Sequence, residues 1–146
     1  MRNTEALSGT PLAALFRVME RFCRSINLQF DWATRSQLDG YIVSNTSRAL
    51  AERIAASTKT TRQPRAWSIT GPYGCGKSAF ALFLADLLAN SAPTHPEGRR
   101  LRDKTGLRGQ KLFPILLVGE RAPLASSLLA GLARSLESLS KPLAHE

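Results

Sequence analysis

The apolar positions of the chain change period several times. Leu12, Leu15, Phe16, Met19, Phe22, Cys23 and Ile26 recur at three- and four-residue intervals, which predicts a helix over residues 11–25. Pro11 suits its first turn, where a missing N–H costs nothing. In "INLQFDW" the apolar residues Ile26, Leu28, Phe30 and Trp32 alternate with polar ones, the period of a short half-buried strand. Asp39 and Gly40 then read as a turn, and Tyr41, Ile42 and Val43 as a short extended piece. A helix follows with Leu50, Ala51, Ile54 and Ala55 on one face; Ser44, Asn45 and Thr46 are candidate caps for its start. The polar, basic stretch "TKTTRQPR" is a loop.

The second half has a different rhythm. "AWSIT", residues 66–70, has β character and runs straight into a glycine segment. Phe80, Phe83, Leu84, Leu87 and Leu88 then mark a helix apolar on more than one face. Residues 90–110 hold prolines, glycines and clustered arginines and read as a long connection. "KLFPILLVG" is apolar enough for a buried parallel strand. The last helix has Pro123 near its start and Leu124, Leu128, Leu132, Leu136 and Leu139 along one side. This alternation predicts an α/β fold, part of a three-layer architecture in which helices flank a parallel sheet. Residues 1–38 form a mainly helical preface with one short strand, and residues 39–146 form the incomplete sheet domain.

Composition alters this picture little. Of the 146 residues 43% are hydrophobic and 21% charged, enough apolar material for a core. No apolar run approaches the roughly 18 residues that span a bilayer. The N-terminal stretch has scattered charges and no signal-peptide pattern, so the expected location is the cytoplasm. The two cysteines, Cys23 and Cys75, lack the spacing of a disulfide framework or a zinc site. His95 and His145 lie in polar segments and read as surface residues. The formal charge of +9 favours a polyanion as partner: nucleic acid, an acidic protein or a nucleotide.

The candidate chemistry is concentrated in "GPYGCGKS", residues 71–78, a full match to Gly-x-x-x-x-Gly-Lys-Ser. A loop that wraps a phosphate must turn backbone N–H groups inward, and Gly71, Gly74 and Gly76 allow the necessary angles. The helix that the loop opens offers unpaired amides and a favourable dipole. Lys77 is placed to reach terminal phosphates and to act on them, and the Ser78 hydroxyl to ligate Mg2+. The nucleotide-binding set is Gly71, Pro72, Tyr73, Gly74, Cys75, Gly76, Lys77, Ser78 and Ala79. Within it Tyr73 reads as solvent-facing and Cys75 as a small filler, with a redox brake on binding as the alternative for Cys75.

With its flanks, "AWSITGPYGCGKSAFALFLADLLA" resembles the Walker A segment of the P-loop NTPases. "DGYIVSNTSRALAERIAAS" before it and "PILLVGERAPLASSLLAGLARSL" after it are similar to phrases in bacterial AAA-type and STAND-type ATPases. The resemblance implies binding of ATP and Mg2+, a place for residues 41–43 near the adenine, and an intact parent that hydrolyses ATP and can oligomerise. Hydrolysis requires an acid at the end of a second strand. "ILLVGE" sets Gly119 at that place and Glu120 one residue later, so Glu120 reads rather as the mouth of the next helix. The expectation is the N-terminal part of a longer ATPase with little turnover of its own. Two other readings stay open: a small kinase with "GRRLRDKTGLRGQK" as an arginine-rich lid, and a non-enzymatic adaptor that binds nucleotide or nucleic acid through its basic loops.

Overall fold

A computed structural model describes residues 25–34, 38–60, 62–107 and 109–140. The helix expected over residues 11–25 therefore lies outside the described residues, except for Ser25. Five helices follow in order: α1 Leu28–Thr34, α2 Asn45–Ser57, α3 Lys77–Ala89, α4 Pro96–Thr105 and α5 Leu124–Ser140. Among the described residues there is no strand, so the expected α/β sheet is replaced by a helical arrangement.

Each misread segment has a local reason. The alternation of "INLQFDW" is overridden by a cap: Asn27 Oδ1 accepts from the amides of Gln29 and Phe30, both at 3.1 Å. Asp31, 1% exposed, closes the turn by accepting from the Asn27 amide at 2.8 Å. Such an Asx cap starts a helix whatever the period of the apolar residues behind it. "AWSIT" and "KLFPILLVG" have no ladder partner among the described residues. Leu112 gives its amide to Leu88 O of α3 at 3.1 Å, and Pro114 has none to give. A parallel strand is stable when both faces are covered, whereas Ile69, Phe113, Ile115 and Val118 are exposed. The piece over residues 41–43 also forms no strand, and Ile42 is 86% exposed.

The core forms around α3, which packs against α1, α2 and α4, while α2 and α4 also touch. Phe83 and Leu87 of α3 are fully buried and meet Ala51 and Ile54 of α2 and Leu101 of α4. Two α3 faces are thus occupied, as expected for a helix apolar on more than one side. The N-cap of α2 is Ser44, whose hydroxyl accepts from the Ser47 amide at 3.1 Å.

Within the expected connection over residues 90–110 lies α4, a helix with a complete set of end signals. Pro96 occupies its first turn, and Gly106, at φ 63°, ends it. The Leu107 amide bonds back to Arg102 O at 3.1 Å, a Schellman closure that seats the buried Leu107. Arg102 is 4% exposed and gives one guanidinium N–H to Leu87 O at 2.8 Å and another to Gln110 O. It ties the end of α3 to the chain leaving α4.

An ion pair links α2 to α4: Arg48 Nε lies 2.5 Å from Glu97 Oε1, with Arg100 on the other carboxylate oxygen. The hydrogen bond from Arg48 holds the Glu97 carboxyl below its ordinary pKa; burial opposes this, and the charges of Arg48 and Arg100 add to it. Because the folded-state pKa is lowered, the stabilisation is complete above about pH 4.5 and is lost as pH falls through the lowered value. Glu97→Gln should therefore cost about 0.5–1 kcal/mol near neutrality, since Arg48 is partly solvated. The variant and the parent should converge in acid, as chemical denaturation at pH 7 and pH 3 would show. An equal gap at both pH values would contradict this account.

Candidate functional site

The chain enters the glycine loop from residues 66–70 and leaves it as α3. Gly74 and Gly76 have φ of 82° and 83°, the left-handed region that other residues avoid. Gly71 meets a different neighbour. A Cβ there would lie 2.9 Å from Cys75 Sγ, so glycine lets the loop close on itself. A Cβ on Gly74 or Gly76 would meet nothing within 4 Å, so the space beside both is open.

Gly76 is the N-cap of α3 and supplies no side-chain cap, in contrast to Ser44 before α2 and His95 before α4. The first intrahelical bond runs from the Phe80 amide to Gly76 O at 2.9 Å. The amides of Lys77, Ser78 and Ala79 precede it and have no partner within the helix. Lys77 folds its ammonium back over the loop, donating to Pro72 O at 2.7 Å and Gly71 O at 2.9 Å, with Cys75 Sγ at 3.7 Å. Cationic charge, uncapped amides and the positive end of the helix dipole thus converge at one partly exposed spot.

The remaining members of the set lie around it. Ser78 is exposed in the first turn of α3, and Ala79 is half-buried behind it. Tyr73 is 94% exposed, and its hydroxyl lies 3.2 Å from the Ser25 hydroxyl. Cys75 is a free, exposed thiol. These residues fit a phosphate chain: several donors, one ammonium, no carboxylate. No group of three or more His, Cys, Asp or Glu suited to a metal occurs among the described residues. A magnesium ion here would rest on the Ser78 hydroxyl and on phosphate oxygens supplied by the ligand.

Other candidates are placed elsewhere. Glu120 accepts from the Ser127 hydroxyl at 2.8 Å, in the first turn of α5, and no hydrogen bond or ion pair among the described residues joins it to Lys77 or Ser78. Tyr41 packs on Phe83, ring centroids 5.6 Å apart, and so belongs to the core around α3. Four cations of residues 98–111 are engaged within the protein. Arg99 donates to Pro93 O and Thr94 O, Arg100 faces Glu97, Arg102 is buried, and Lys104 lies 2.7 Å from Glu52.

Sequence reasoning missed three polar residues of structural weight. His95 is no bare surface residue. Its Nδ1 accepts from the Glu97 amide at 3.2 Å, so Nε2 carries the proton and donates to Tyr41 O at 2.9 Å. Its ring also packs edge-on to Phe83 at 5.4 Å. Asp86 is 2% exposed and organises the turn before α4, and Arg102 anchors the turn after it. A signal for Asp86 was present: it is the one charged residue in the apolar run from Ser78 to Ala89.

The site is a glycine-rich loop at the amino end of a helix, with uncapped amides and the Lys77 ammonium beside them. Compared with protein-family models, curated proteins and solved structures, the chain matches none of them. No helix among the described residues is long and apolar enough to cross a membrane.

Proposed function

We propose that residues 71–78 hold the phosphate chain of ATP, with Mg2+ bridging the Ser78 hydroxyl and the phosphates, in the manner of the phosphate-loop ATPases. The observation that carries this reading is the uncapped start of α3 with the Lys77 ammonium folded against Gly71 O and Pro72 O. It rests on the loop and not on a sheet. The donors present recognise phosphate oxygens, and ATP rather than GTP rests on the resemblance of the flanking phrases. On this reading the chain is a nucleotide-binding module whose own turnover is slow, because Glu120 is engaged by Ser127 and no acidic residue is hydrogen-bonded or ion-paired to Lys77 among the described residues.

The test is a ligand series on the full chain. Mg-ATP and inorganic triphosphate should both raise the melting temperature, while adenosine and AMP should not. At a ligand concentration 100 times Kd the gain is about 2.7 kcal/mol, or several degrees for a chain of this size. A shift by adenosine as large as that by ATP, or no shift by either phosphate, would overturn the reading. Oligonucleotide binding that falls steeply with salt and ignores Lys77 would favour the adaptor instead.

A further inference from the structure

Helix α5 shows a second feature, unconnected with the loop. Gly131 is buried, and a Cβ on it would overlap Leu117, so this side of α5 lies close on the chain over residues 115–117. At 100° per residue, Leu128, Leu132, Leu136 and Leu129 stand roughly 60 to 160° around the helix from Gly131, on a face turned away from that contact. They are 46%, 37%, 51% and 68% exposed, and Leu124 at the helix start is 73% exposed. Arg134 and Glu137, the only charged residues of the helix, fall on the opposite side of the Gly131 line. The helix thus turns Gly131 toward its own chain, has a charged face on the opposite side, and has a leucine face that is left exposed among the described residues.

We propose that this leucine face is the interface of a homodimer, with α5 of a second copy as its occupant. Three observations select a second copy. The face carries no charge, so it offers nothing to draw an acidic or basic partner and nothing to repel itself. Leu129, Leu132 and Leu136 follow the 3-4 spacing of a self-pairing helical seam, and Leu124, Leu128, Leu132 and Leu136 form an i+4 ridge of the kind that packs into the grooves of another helix. The four leucines of this face, with Leu124 about 20° from the Gly131 line at the helix start, present on the order of 500 Å², at the upper end of what a monomer leaves bare, and pairing two copies buries up to about 1,000 Å², the least that a specific interface requires.

Sedimentation velocity and light scattering on the full chain at about 50 µM test this. The expected mass is twice the 15.9 kDa of one chain, falling to that of one chain in Leu129→Glu/Leu136→Glu with the helical circular dichroism unchanged. Hydrogen exchange of the unaltered chain covers the case in which that variant fails to fold. Amides of residues 124–137 should exchange at least about tenfold more slowly at 50 µM than at 0.5 µM, with no such change elsewhere on the surface. A monomeric parent, a dimer that survives both charges, or concentration-dependent protection confined to other residues would each overturn the proposal.

Discussion

Lys77→Ala is expected to weaken Mg-ATP binding by at least about 100-fold, while the melting temperature of the ligand-free chain changes by no more than about 3 °C. The asymmetry follows from what the ammonium does in each state. Without ligand it spends its N–H groups on two carbonyls, Gly71 O and Pro72 O, at a partly exposed site. Water replaces those partly exposed bonds at small cost, about 0.5 kcal/mol each, the low end for a hydrogen bond. With a triphosphate bound, the same group faces oxygens bearing full charge, where each charge-assisted bond contributes about 1.5–3 kcal/mol. Two such bonds correspond to roughly two or more decades of affinity. Lys77→Arg is the sharper control, since it keeps the charge but replaces a compact ammonium with a wider planar fork. It should bind better than the alanine variant and worse than the parent. Isothermal titration of the three proteins decides the matter: equal affinity in all of them would remove the loop from the site.

The geometry of the loop and the helix it opens was legible because both are set by adjacent residues. Three glycines, a lysine and a serine at fixed spacing need only the helix that follows, and Phe80, Phe83 and Leu87 announce that helix unmistakably. The start of α2 was legible for the same reason, since Ser44 caps it through a neighbour three residues on. The sheet was not legible because a strand is defined by its partner, and apolar runs such as "PILLVG" do not say what will lie beside them. In the fold the Leu112 amide finds a helix carbonyl, and the alternation in "INLQFDW" yields to the Asn27 cap. Residues 90–110 read as a connection because of their prolines, glycines and clustered arginines. Arg102 instead meets Leu87 O, fifteen residues earlier in the chain, a contact no local pattern contains. The polar residues missed by reading the sequence share that property: their partners lie across a turn or on another segment.

Asp86→Ala should be among the most damaging single changes in the chain, lowering stability by about 3 kcal/mol and the melting temperature by about 10 °C. The carboxylate is 2% exposed in the middle of the most apolar helix. One oxygen accepts from the Thr94 amide at 2.8 Å and the His95 amide at 3.4 Å. The other accepts from Asn90 Nδ2 at 2.5 Å and the Thr94 hydroxyl at 3.3 Å. These bonds hold the tight path from the end of α3 to the start of α4, where His95 caps α4 and reaches back to Tyr41 O. Alanine would leave these partly buried donors without acceptors, and that penalty exceeds what the methyl group recovers by being apolar. Asp86→Asn keeps the shape and one carbonyl oxygen but turns the other acceptor into a donor facing a donor. Its loss should be nearly as large as that of alanine, which separates acceptor chemistry from packing. Thermal denaturation of both variants, with hydrogen exchange at residues 94–99 to localise the effect, is the measurement. If asparagine were as stable as the parent, Asp86 would be holding its place by shape alone, and the turn before α4 would need another explanation.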